Sequence, residues 1–176
     1  LKIGDVWLRL DSLEVAKAEM EFLFEARHVD LMRLDAFIVE HTLDRRPRPA
    51  LTAVEFNGML KGFMDLVFQS GERYYVADYK SNWLGMGDED YTPDAMEDAI
   101  CAHRYDLQYV IYLFALHRLL KSRLPEYDYD QHIGGAVYLF VRGIGAPSGG
   151  IHFERPPKAL IESLETVFSG MVGGAA

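Results

Sequence analysis

The sequence predicts an α/β fold in which a mixed sheet is flanked by helices. Three observations carry this. Residues 58–68 and 73–80 are rich in aromatic and β-branched residues and flank Ser70-Gly71, a hairpin signal. A long helical segment runs from about Tyr105 to Arg123. A third strong strand, 134–142, precedes a final helix of about 158–171 with an apolar stripe through Leu160, Ile161, Leu164, Val167, Phe168 and Met171.

The remaining elements follow in order. Residues 19–25 alternate, with Met20, Phe22 and Phe24 on one side and Glu19, Glu21 and Glu25 on the other, which reads as a strand. Residues 29–40 have helical spacing through Leu31, Leu34, Phe37 and Ile38. Leu43 to Ala50 reads as an exposed loop, its Arg45, Arg46 and Arg48 solvated rather than bound to phosphate. Residues 81–92 form a loop with two glycines, in which Trp83 is expected to cap a core edge rather than to stack a base. Pro93 suits the first position of a helix. Glu126, Asp128 and Asp130 lie in a turn or partner surface and lack the glycine spacing of a calcium loop, and His132 is a structural residue. Residues 172–176 form a loose tail.

Composition bounds the function. The 176 residues, 49% hydrophobic and 26% charged, suit a single globular domain spanning 1–176. Charges interrupt every apolar run before membrane-spanning length, so no membrane partner is expected. No signal peptide is visible. One cysteine, Cys101, excludes an internal disulfide and a cysteine-based zinc cluster and fits the cytoplasm. A net charge of −9 argues against a free-standing nucleic-acid binder, since phosphate contacts need Lys and Arg. It argues less against a domain embedded in a larger machine, and a chain that begins at Leu1 is expected to be a fragment of one.

The chemistry lies in the hairpin. With Ser70-Gly71 at its tip, Asp65 faces Val76, and Asp78 is the diagonal neighbour of Asp65 on the same sheet face. Their Cβ atoms are then roughly 7 Å apart or less. That gap fits a hard cation between two carboxylates, with metal–oxygen bonds of about 2.1 Å for magnesium. Lys80 follows on the same face. Such a set can hydrolyse a phosphodiester: carboxylates hold a metal, the metal activates a water, and a lysine orients that water and offsets charge. A D-x12-D-x-K spacing is also a common accident, and both aspartates could simply be hydrogen-bonded or paired with Lys80. On the following helix Tyr105, Gln108 and Tyr112 share a face, which is either functional or a polar seam on a core helix.

Several blocks are then specific. Gly62-Phe63-Met64-Asp65-Leu66-Val67-Phe68 and Tyr74-Tyr75-Val76-Ala77-Asp78-Tyr79-Lys80-Ser81-Asn82-Trp83-Leu84-Gly85 resemble the nuclease domains of the RecB family, beta subunits of exodeoxyribonuclease V. So do His103-Arg104-Tyr105-Asp106-Leu107-Gln108-Tyr109, Tyr127 to Gly135, and Tyr138-Leu139-Phe140-Val141-Arg142-Gly143. The likeness runs from about Glu19 to Met171. It implies a restriction-endonuclease-like PD-(D/E)xK fold, lacking its first core helix, on which the family carries a further metal-binding histidine. It implies magnesium, with manganese as substitute, held by Asp65, Asp78 and a third carboxylate, Glu19 or, as fallback, Glu21. Lys80, Gln108 and Tyr112 join the aspartates as catalytic residues, the last two matching the family's Q-x-x-x-Y. The implied activity is that of a DNA exonuclease and endonuclease of a helicase–nuclease in double-strand break repair and recombination. The implied partners are DNA, the helicase portion of the same chain, alpha and gamma subunits, and a recombinase. The alternative is a catalytically idle module that docks a partner subunit or recombinase; the isolated fragment is expected to be weak or inactive.

Overall fold

A computed structural model describes residues 2–3, 6–7, 13 and 15–169. Met171 and the tail 172–176 lie outside the described residues. Strands β1 (Lys2–Ile3) and β2 (Val6–Trp7) form an antiparallel pair. The main sheet has five strands: β3 (Val15–Asp30), β4 (Glu55–Ser70), β5 (Arg73–Lys80), β6 (Ile133–Phe140) and β7 (Ile151–Glu154), hydrogen-bonded in that order. All neighbours are antiparallel except β5 and β6, which run parallel. The sheet is therefore mixed, as the sequence predicts.

Its helices start where the local chemistry lets them. In α1 (Leu31–His41) the Asp30 carboxylate accepts the Arg33 N–H, satisfying one orphan donor of the first turn. Thr92 does the same for Ala95 in α2 (Pro93–His103), with Pro93 at the first turn. Arg104, in the left-handed region at φ 56°, joins α2 to α3 (Tyr105–Arg123). Helices α1, α2, α3 and α5 (Lys158–Phe168) contribute to the main core on one face of the sheet, where Phe24, Phe114 and Phe168 meet with ring centroids 5.1–5.5 Å apart. The other face is closed by a smaller cluster of Phe68, Tyr75, Ala77, Val137 and Leu139. Within the main core, α3 exposes almost none of Tyr109, Val110, Leu113 or Phe114.

Several expectations are corrected. The hairpin turn lies at Gly71-Glu72: Ser70 pairs with Arg73 and Leu66 with Ala77. Gly71 takes φ 60° at the first turn position, where a type II′ turn places glycine. Val76 therefore faces Val67, not Asp65. The arginines of the 43–50 loop are not simply solvated. The Arg48 side chain is 1% exposed and pairs with the fully buried Asp106 at 2.8 Å, while Arg46 is clasped by Asp94, Glu97 and Asp98. Trp83 caps nothing; it is 67% exposed. The short strands β1 and β2 have no counterpart in the sequence reading, nor do the edge strand β7 and α4 (Tyr129–His132), the latter capped by the Asp128 carboxylate on Asp130 N and Gln131 N.

Candidate active site

The corrected register tightens the carboxylate pair. Beyond Leu66↔Ala77, the next residue on each strand is Asp65 on β4 and Asp78 on β5, so they face one another directly. The backbone ladder stops there, and the Asp65 carboxylate replaces it: Oδ2 accepts the Tyr79 N–H at 3.0 Å. Strand β4 changes face at this point, because Met64 and Val67, three residues apart, both enter the main core.

Strand β3 is irregular at the same level. Glu19 lies between the pairs Ala18↔Leu66 and Met20↔Met64, across from Asp65, with φ at 50°. A glutamate in the left-handed region is strained, and such strain clusters at functional sites. Glu21 pairs with Phe63 and forms a 2.8 Å ion pair with Lys61. Glu19, Asp65 and Asp78 thus sit at one level on three adjacent strands, with Glu19 exposed. Among the described residues, no three carboxylate, imidazole or thiol groups converge tightly enough to hold an ion.

Lys80 is held from several directions. Its Nζ lies 2.6 Å from Asp78 Oδ2 and donates to Gln108 Oε1 at 2.7 Å. It also sits 3.8 Å from the centroid of the Tyr105 ring and 4.7 Å from that of Tyr138, so two aromatic faces cradle the cation. Gln108 is fixed in turn: its Oε1 also accepts the Tyr138 hydroxyl at 2.9 Å, and its Nε2 donates to Tyr112 Oη at 2.8 Å. Helix α3 delivers Tyr105, Gln108 and Tyr112 from one face, as their spacing predicts. Tyr138 was missed. It arrives by the parallel register that sets it beside Asp78, which a sequence without a known strand order does not reveal.

The electrostatics suit a cation. Asp78 is 5% exposed, and burial pushes its carboxyl above the usual carboxylate range; Lys80 opposes this and the Asp65 charge reinforces it. Burial also raises the phenols of Tyr112 and Tyr138, with the Asp78 and Asp65 charges adding to it, so both remain protonated donors. Two facing carboxylates, one desolvated, with a third across the next strand, match the oxygen-rich donor set of a hard divalent cation. The donor chemistry of Asp65 and Asp78 fits such an ion.

A carboxylate pair and a lysine lie at the junction of antiparallel and parallel strands, backed by a helical glutamine. The chain belongs to the PD-(D/E)XK nuclease superfamily, whose sequence profile matches residues 7–172. Nucleases of this superfamily use divalent metals. The chain is similar to the RecBCD enzyme subunit RecB of Escherichia coli (strain K12), 45% identical over 158 residues that make up 88% of this chain and 13% of that protein. The same-named subunit of Haemophilus influenzae (strain ATCC 51907 / DSM 11121 / KW20 / Rd) is 42% identical over 85% of this chain and 12% of its own. That of Mycobacterium tuberculosis (strain CDC 1551 / Oshkosh) is 37% identical over 69% of this chain and 12% of its own. The chain spans about an eighth of the length of these relatives. Among the described residues, no helix is long and apolar enough to cross a membrane.

Proposed function

We propose that this chain is the nuclease domain of a RecB-type helicase–nuclease, hydrolysing DNA phosphodiesters with magnesium, and with manganese as substitute. The observation that carries the reading is the facing Asp65–Asp78 pair with Lys80 Nζ 2.6 Å from Asp78. Asp65 and Asp78 would hold the cation, with Glu19 rather than Glu21 as the third ligand, since Glu21 is engaged by Lys61. When bound, a divalent cation there supplies Lewis-acid polarisation of a phosphate oxygen and acidifies a water.

The protein's own part is positioning. A lysine ammonium has three donors. Asp78 and Gln108 occupy two, leaving the third for the attacking water or a phosphate oxygen. The Tyr105 and Tyr138 rings limit where that third donor can point. Gln108, pinned by Tyr112 and Tyr138, keeps the ammonium beside the scissile group while charge develops there.

The domain acts both as exonuclease and as endonuclease on strands fed by the helicase portion of the same chain. It works with alpha and gamma subunits and a recombinase, in the cytoplasm, in double-strand break repair and recombination. The test is cleavage by the full-length protein. It should need magnesium or manganese, and Asp78→Asn should abolish it while ATP-driven unwinding persists. Cleavage persisting in excess chelator, or in Asp78→Asn, overturns the reading.

A further inference from the structure

Strands β5 and β6 run parallel and end together, at Lys80 and Phe140, which are partners in the register. The segments that follow, 81–92 and 141–150, therefore leave the sheet on the same side. The carboxyl ends of neighbouring parallel strands form a natural crevice for a ligand. Four exposed apolar side chains stand on these two segments: Trp83 at 67%, Met86 at 97%, Val141 at 40% and Ile144 at 67%.

Trp83 is exposed on a tethered backbone. The residue before it, Asn82, is bound twice: its carbonyl accepts the Tyr91 hydroxyl at 3.2 Å, and its Oδ1 accepts the Tyr105 hydroxyl at 3.3 Å. The residue after it, Leu84, donates its N–H to Tyr91 Oη. The Tyr105 that holds Asn82 is the one whose ring lies against Lys80 Nζ. One side chain thus links the indole's backbone to the lysine. Arg142 completes the edge: its Nε donates to Ser81 O at 3.0 Å, and among the described residues it makes no ion pair. Its remaining guanidinium donors are exposed next to the Trp83 segment.

Taking Asp65, Asp78 and Lys80 as the cleavage centre, we infer that Trp83 and Arg142 form a single-strand binding edge beside it. A DNA base stacks on the Trp83 indole, and Arg142 takes a backbone phosphate. Aromatic stacking with a nearby cation is how single strands are held without sequence preference. A duplex keeps its base faces stacked internally, so the edge selects an unpaired strand. The three acids of the loop turn back on these segments: Asp90 accepts the Gly87 N–H at 3.0 Å, Glu89 lies against Gly87, and Asp88 lies against Gly145.

The test uses the full-length protein in its complex and a single-stranded oligothymidylate. Trp83→Leu should raise KM about tenfold with kcat nearly unchanged, whereas Trp83→Phe, which keeps an aromatic face, should restore most of the affinity. Arg142→Gln should also raise KM and reduce the salt dependence of binding by roughly one phosphate contact. A wild-type KM in Trp83→Leu overturns the inference. So does loss of subunit assembly in Trp83→Leu, which would make the apolar edge a protein interface. Lys80→Ala, run in parallel, separates the two levels: if it is dead while Trp83→Leu is normal, the cleavage centre stands and only the strand-binding edge falls.

Discussion

Asp106→Ala should be the most damaging single change outside the carboxylate row. Asp106 is fully buried in the first turn of α3, two residues before Gln108. Its carboxylate accepts Arg48 Nη1 at 2.8 Å and Arg104 Nε and Nη2 at 3.1 Å each, and Arg104 also pairs with Asp35. Removing it leaves the Arg48 guanidinium, 1% exposed, without its only carboxylate among the described residues. Breaking a buried pair by deleting one partner costs about 3–5 kcal/mol. For a chain of this size that is a fall in Tm of roughly 10 °C. Arg46→Ala is the internal control. Its partners Asp94 and Asp98 have side chains 84% and 72% exposed, so solvent screens these pairs and the loss should be much smaller. Urea unfolding of the two variants beside the parent measures both. A cost for Asp106→Ala no larger than that for Arg46→Ala would refute the claim that this network holds the start of α3.

Three further outcomes follow from the site and its surroundings. Lys80→Ala should lower kcat at least about a hundredfold, the scale of losing one pre-organised charge donor, with unwinding intact; wild-type turnover would give Lys80 a structural role only. Gln108→Ala should lower kcat more than it weakens manganese binding, because its carbonyl holds Lys80 rather than facing the carboxylates; equal losses in rate and metal affinity contradict that assignment. His117 should make stability pH-dependent. Burial pushes its imidazole below the ordinary value, against the opposing pull of Glu165, so the unfolded chain binds the proton more readily. Its contribution is full above pH about 6.5 and is lost as pH falls toward the lowered folded value, at no more than about 1.4 kcal/mol per pH unit. His117→Gln should flatten this part of the profile in urea titrations between pH about 5 and 8; an unchanged slope would exclude His117 as its source.

What could be read without coordinates was whatever is local. The hairpin, the Pro93 start of α2, the span of α3 and the shared face of Tyr105, Gln108 and Tyr112 all follow from short-range pattern. The exact turn does not, because Ser-Gly-Glu allows glycine at either central position, and only the fold selects Gly71-Glu72. That one-step difference changes Asp65 and Asp78 from diagonal to facing neighbours. Arg48 looked like a loop cation because its partner is 58 residues away. The Tyr138 contact with Lys80 depends on a parallel pairing between strands more than 50 residues apart, and β7, four residues behind two glycines, is a strand because β6 offers it an edge. The left-handed backbone of Glu19, at φ 50°, and the engagement of Glu21 by Lys61 are announced by no side-chain alternation. The family resemblance named Glu19 as the better match; period-two reading alone left the two equivalent.

The central claim is that Asp65 and Asp78 together hold a catalytic divalent cation. The most direct measurement is calorimetric titration of manganese into this chain and into Asp65→Asn, Asp78→Asn and Glu21→Gln variants. The account predicts one class of site, weakened at least about tenfold in each aspartate variant, as expected when a hard cation loses an anionic oxygen ligand, and unchanged in Glu21→Gln. Manganese affinity that is the same in Asp78→Asn as in the parent would contradict it.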